Sequence, residues 1–183
     1  MPWSDSVTEQ FSLIDLFTTD ESNFYGPYNT LLFEFFLPNE HYQVSPQFKR
    51  ILGSMDFTGL YIVSKRKVPV FFLEIKTYLA LDKLSSRAEA DDQMHKRFVK
   101  FASGSIPTPK LVGLSALGTN FCVYELTTVD NQLLPDRIVP DPRFLIDTAP
   151  KAWWSYDILS QAGEVKLREV VEEVKTMLVD LNP

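Results

Sequence analysis

Cys122 is the single cysteine of a 183-residue chain, so no intrachain disulfide can form and packing alone must hold the fold. Its neighbours Phe121, Val123 and Tyr124 read as a strand, where a lone cysteine serves as a small buried hydrophobe. Histidine is almost as scarce. His41 and His95 are the only two, and no Cys/His cluster offers a zinc site. No apolar run approaches the roughly 18 residues of a membrane span, and the opening MPWSDSVTEQ lacks the basic and apolar regions of a signal peptide. The expectation is an intracellular protein, cytoplasmic or nuclear, that does not engage a membrane. Lys65-Arg66-Lys67 is too short to serve as a localisation signal. There is no phosphate-cradling glycine loop with its lysine and no dinucleotide fingerprint. Gly113-Leu114-Ser115-Ala116-Leu117-Gly118 misses the nucleophile elbow by one residue, and Ser115 falls in mid-strand.

Basic residues are missing from the start of the chain, and this absence is informative. Residues 1–48 hold seven acids and no Lys or Arg, a local charge of −7. Residues 49–110 reverse the balance to +6, and residues 111–183 return to −5, within a net charge of −6. A net acidic chain is no general nucleic-acid coat. A segregated basic segment can still steer a polyanion, although it is also what a solvated basic face looks like.

What the chain has in quantity is core material. Hydrophobic residues make up 45%, with 14 phenylalanines, enough for one ordinary domain that buries roughly 70% of its unfolded surface. A short helix is expected near Thr8–Phe17. Tyr25-Gly26-Pro27 offers a helix start, and residues 28–37 are apolar nearly all round, with Asn29, Thr30 and Glu34 as the polar stripe. Residues 57–64 and 68–76 are β-branched and aromatic around the charged turn Lys65-Arg66-Lys67, a hairpin signal. A helix from Asp82 or Ser85 to about Ala102 follows, with Met94, Phe98, Phe101 and Ala102 at helical spacing and Gln93, Lys96, Arg97 and Lys100 on another face. Residues 110–117 and 120–127 read as a second hairpin around Gly118-Thr119. An irregular proline-rich connection and an amphipathic helix over 164–181 complete a mixed α/β (α+β) domain with a central sheet. Trp153-Trp154 reads as the opening of a packed segment, with base stacking as the alternative.

Glu74-Ile75-Lys76 ends a run, Val68 to Leu73, that reads as a buried strand, where charges are costly unless paired. Strand alternation puts Glu74 and Lys76 on one face and Ile75 on the other. With the hairpin turn centred on Arg66, Thr58 would lie across from Glu74 and Asp56 across from Lys76, so Asp56, Glu74 and Lys76 would share a face. Two converging carboxylates suit a hard cation such as Mg²⁺ or Mn²⁺, which can polarise a phosphodiester and activate water. A neighbouring lysine can share the developing charge. The plainer alternative is a buried Lys–carboxylate ion pair.

An Asp opening a strand, followed 18 residues later by an apolar-E-x-K run, resembles the PD-(D/E)xK nuclease superfamily, the restriction-endonuclease-like fold. Here the motif stands as Ser54-Met55-Asp56 and Phe72-Leu73-Glu74-Ile75-Lys76, with Met55 at the usual proline. The resemblance implies a central mixed sheet flanked by helices, Asp56 and Glu74 as metal ligands with the Ile75 carbonyl, and Lys76 assisting water. The helix-strand-strand-helix-strand order fits as well. In the RecB-like branch a preceding helix supplies an acid, here Glu34, and a Q-x-x-x-Y motif follows, here beginning at Gln93. Arg97 stands where that motif has Tyr and is expected at phosphate instead.

The implied activity is Mg²⁺- or Mn²⁺-dependent phosphodiester hydrolysis, with DNA as partner. The expected contacts are Lys96, Arg97 and Lys100, and more weakly Lys65, Arg66 and Lys67 at the far hairpin tip. Many enzymes of the fold act as homodimers. The competing reading is a nuclease-fold module without catalysis that binds or regulates. Within one domain, 1–183, the resemblance covers residues 25–127. Residues 128–163 form the irregular connection and 164–182 the terminal helix, a pattern similar to fungal proteins to which no activity is attached.

Overall fold

The computed structural model describes residues 3–50, 57–104 and 106–178, the side chains of residues 48–50 and 57–58 excepted. A mixed sheet, ordered β1-β2-β3-β4-β5-β6, runs through the centre with helices on both faces. The strands are β1 (Tyr42–Arg50), β2 (Phe57–Lys65), β3 (Val68–Lys76), β4 (Lys110–Leu117), β5 (Asn120–Thr127) and β6 (Gln132–Leu134). A two-residue β7 (Tyr156–Asp157) pairs with the start of β5. The helices are α1 (Asp5–Ser12), α2 (Tyr25–Phe35), α3 (Leu84–Ala102) and α4 (Gln161–Met177).

β1, β2 and β3 form an antiparallel meander, whereas β3 and β4 run parallel. Parallel neighbours need a long crossover connection, and α3 supplies it. Strand alternation then divides the core. On one face Tyr61, Val63, Phe71, Leu73, Ile75, Val112 and Leu114 pack with the buried sides of α1, α2 and α4. On the other, Leu60, Phe72, Leu117, Cys122 and Tyr124 pack with Ala90, Met94 and Phe98 of α3 and with Trp154.

Most of the expected elements are present, with four corrections. The first helix is shorter and earlier than Thr8–Phe17, capped by the Ser4 hydroxyl, which accepts from the Val7 amide. α4 begins at Gln161, capped by Ser160, ahead of the expected start at residue 164. Its apolar face, Leu167, Val170, Val171, Val174 and Leu178, is buried as expected, while Leu181 lies outside the described residues. β6 and β7 lie within the expected irregular connection 128–163, and the strand β1 likewise has no counterpart among the expected elements. Its Pro46 is tolerated because β1 is an edge strand, where a missing amide leaves no ladder bond unmade.

The fourth correction is the register of the β2–β3 hairpin. Its turn has two residues, Arg66 and Lys67, both at positive φ (51° and 71°), the form that matches strand twist. A bulge follows at Val63/Ser64, and from there the pairing runs Val63↔Phe71, Leu60↔Glu74 and Gly59↔Ile75. Leu60, not Thr58, therefore lies across from Glu74. The turn and the bulge offset each other, so even-numbered residues of both strands still share a face. Asp56 lies outside the described residues.

Candidate active site

Glu74 is 3% exposed and points from the centre of the sheet toward α3. An isolated carboxylate there would be prohibitively costly, and α3 supplies its partner. Arg97 Nε donates to Glu74 Oε2 at 2.9 Å and Nη2 reaches Oε1 at 3.4 Å, so both oxygens are held by one guanidinium fork. One strand position on, Lys76 Nζ donates to Glu89 Oε1 at 3.3 Å. Gln93 Nε2 donates to the same oxygen at 3.1 Å. Glu89, Gln93 and Arg97 recur every four residues, so one stripe of α3 meets the whole E-x-K segment. The Gln93 Oε1 is buried without a hydrogen-bond partner among the described residues.

The strand end that carries these groups is fixed from the other face. Gly118 donates its amide to the Lys76 carbonyl at 2.9 Å, and its own carbonyl accepts from the Tyr28 hydroxyl at 2.8 Å. Gly118 has φ +65°, and a Cβ there would fall 2.6 Å from the Tyr78 side chain, so glycine is required. Gly59 is needed for space: a Cβ would sit 2.1 Å from the Tyr25 ring.

That ring brings a carboxylate that sequence reasoning missed. Tyr25 donates its hydroxyl to Glu21 Oε1 at 2.6 Å. Burial pushes the Glu21 carboxyl above its ordinary value, while Tyr25, the charge of Lys76 and the Gly59 backbone act in the opposite sense and the charge of Glu74 adds to the rise. Glu21 thus lies within electrostatic reach of both E-x-K charges. Its signal was available in the sequence as a Glu–Tyr pair at i,i+4 ahead of α2, but helical periodicity drew attention to Glu34. Glu34 is exposed. It accepts from the Ser4 hydroxyl at the start of α1 and lines the groove between α2 and α4 beside Arg168. It is not brought to Glu74, because it lies near the far end of α2, thirteen residues beyond Glu21.

The expected basic contacts separate in the same way. Lys96 and Lys100 are exposed, and Lys96 pairs with Asp92 at 2.5 Å. Arg97 turns inward instead. Lys65-Arg66-Lys67 sits at the opposite end of β3, roughly 20 Å from Glu74 at the rise of a strand, with Lys65 Nζ 4.9 Å from the centre of the Tyr42 ring. β1 adds what the sequence reading did not: its register places Lys49 and Arg50 beside Thr58 and Phe57, at the Glu74 end of the sheet.

Other candidates are accounted for by packing. Trp154 is buried and donates to the Ser115 hydroxyl at 3.2 Å, which makes it core rather than a base-stacking platform. Cys122 is buried, and that burial pushes its thiol up, away from nucleophilic use. His95 lies 3.3 Å from Asp91, a carboxylate that also accepts from the buried Tyr124 hydroxyl at 2.9 Å.

Among the described residues no group of three or more His, Cys, Asp or Glu side chains is arranged to hold a metal ion. None of their helices is long and apolar enough to cross a membrane. Comparison with known protein families, with curated proteins and with solved structures finds no match.

Proposed function

We propose that the chain is a metal-dependent nuclease of the PD-(D/E)xK type, hydrolysing phosphodiester bonds in DNA, and that it works inside the cell. The observation that carries this reading is Glu74: a carboxylate buried at the end of a central strand, with Lys76 on the same face and a polar stripe of the crossover helix aligned on both. An apolar residue at position 74 would fill a sheet centre at lower cost, so the charge is retained for chemistry. The element order supports the reading too. A helix, a meander ending on the E-x-K strand, a crossover helix and a parallel strand follow one another as the resemblance implies.

The chemical kinds present suit a hard cation. Glu74 supplies a carboxylate, Glu21 adds negative charge from the α2 side of the strand end, and the unpartnered Gln93 Oε1 is a buried acceptor suited to a water held by the ion. Asp56 and the Ile75 carbonyl are the remaining ligands that the resemblance implies. A bound Mg²⁺ or Mn²⁺ would supply Lewis acidity, acidifying a water and stabilising charge on the phosphorus oxygens. Lys76, held by Glu89, would orient that water and share the charge. Lys96 and Lys100, exposed on α3, would contribute positive charge that draws the phosphate backbone in. Assembly as a homodimer would follow from the resemblance alone.

A second reading is favoured by one specific observation. Both Glu74 oxygens are already neutralised by Arg97, as they would be in a nuclease fold that binds or regulates without cleaving. Cleavage of single- and double-stranded DNA with Mg²⁺ or Mn²⁺ decides between the two. The nuclease reading expects metal-dependent turnover that falls by about a hundredfold or more in Glu74→Ala and in Lys76→Ala. Absence of cleavage in the wild type would favour the binding module. Cleavage that survives both substitutions would move the chemistry elsewhere.

A further inference from the structure

Two arginines on α3 are held in different ways. Arg87 is buried and tied on three sides: Nε to the Ala149 carbonyl at 2.9 Å, Nη1 to the Leu81 carbonyl at 2.9 Å, and Nη2 to Asp147 at 2.6 Å. It is a fastening of the fold. Arg97 retains 20% side-chain exposure, and among the described residues Glu74 is its only carboxylate partner. Its two hydrogen bonds to Glu74 are the ones that release of its guanidinium would break.

We propose that Arg97 is the exchangeable counter-cation of Glu74. Its guanidinium holds the carboxylate while no divalent ion is bound, and a divalent ion takes Glu74 only by displacing it. The inference rests on the metal-dependent reading above. A buried carboxylate must be neutralised in every state of the protein, and one cation at a time suffices. A guanidinium within 3 Å of Glu74 and a divalent ion on the same oxygens would repel each other strongly in a site with little water. Gln93, one turn before Arg97, leaves its unpartnered Oε1 as an acceptor that either the displaced guanidinium or a metal-bound water can use. Arg97 therefore sets the metal affinity of the site without being a ligand.

The test is Mn²⁺ titration by calorimetry together with thermal unfolding, with and without Mn²⁺, on the full chain. The proteins are wild type, Arg97→Gln, Arg97→Lys and Glu74→Gln. Arg97→Gln should bind Mn²⁺ at least about tenfold more tightly than wild type, the factor that about 1.4 kcal/mol of relieved competition represents. It should unfold at lower temperature without metal, because Glu74 is left unpaired, and Mn²⁺ should restore it. Glu74→Gln should lose binding. If Arg97→Gln does not fold, Arg97→Lys decides: a single ammonium replaces the fork and must let Mn²⁺ bind more tightly than in wild type. Wild-type binding with no gain in either Arg97 variant overturns the exchange and leaves the metal reading standing. No Mn²⁺ binding by any of the proteins overturns both.

Discussion

The two faces of the sheet are built to different rules. The face under α1, α2 and α4 is filled by apolar and aromatic side chains, Phe71 against Phe36 with ring centres 5.5 Å apart among them. The α3 face has an apolar floor too, with Phe72 against Phe98 at 4.8 Å. It also buries Glu74, Arg87, Asp91 and Ser115. Buried polar groups contribute little net stability even when satisfied, and are heavily penalised when they are not. One face therefore carries the stability of the domain, and the other accepts a thermodynamic handicap to hold charged groups in fixed geometry.

The largest effect expected from this contrast lies on the apolar face. Phe71→Ala should destabilise the protein by about 3–5 kcal/mol through lost burial and the cavity left behind, measured by urea unfolding. A loss below about 1 kcal/mol would mean that this face collapses around the gap and is not the tightly packed half.

The charged pair on the other face should respond in the opposite sense. Replacing it by apolar residues, Glu74→Leu with Arg97→Met, removes both charges together and leaves none orphaned. Stability should be unchanged or higher by up to about 4 kcal/mol, while the Mn²⁺ binding and cleavage proposed for the wild type should be absent. A double variant less stable than wild type would make the pair a structural strut and erase the contrast between the faces.

How far the sequence disclosed this arrangement depended on which physical signal each element carried. β3, β4 and β5 were legible because β-branched and aromatic runs end at turn residues, and Gly118 marks the second hairpin. The first hairpin was legible as an element but not in register. Arg66 and Lys67 both adopt positive φ without the Asn-Gly signature of such turns, and the bulge after them leaves no mark in composition. β1 was hidden by Pro46 and by its polar Gln43, Ser45 and Gln47, all acceptable only because the strand lies at an edge. At the site, Glu74 and Lys76 were legible from alternation alone. The role of Arg97 was not, since helical spacing places it on the flank of α3 but does not say which carboxylate it meets. Glu21 was passed over for Glu34 because periodicity finds the polar stripe of a helix, whereas proximity to the strand end is a tertiary property.

The smallest effect tests whether the α3 face is also held from outside. The proline-rich segment after β6 is fastened to α3 by the Arg87–Asp147 pair and again by Arg137 to Asp92. A hydrogen bond from Lys96 holds the Asp92 carboxyl below its ordinary value of 3.8 against burial, the next-largest effect, with the charge of Lys96 and then the bond and charge of Arg137 adding to the lowering. A depressed folded value means that the unfolded chain binds the proton more readily. The contribution of Asp92 is then fully present above pH 3.8 and is lost as pH falls through the folded value. About a third of the Asp92 side chain (35%) stays exposed to solvent, so Asp92→Asn should cost less than about 1 kcal/mol at neutral pH, and less still in high salt. The difference between wild type and variant should shrink as pH falls through the folded value, below which both carry a neutral side chain. Urea unfolding of the two proteins across that range isolates Asp92 from the other carboxylates, which titrate alike in both. A difference that persists undiminished in acid would show that the side chain acts through shape and neutral hydrogen bonding. The outer fastening of the α3 face would then owe nothing to charge, unlike the Glu74–Arg97 pair beneath it.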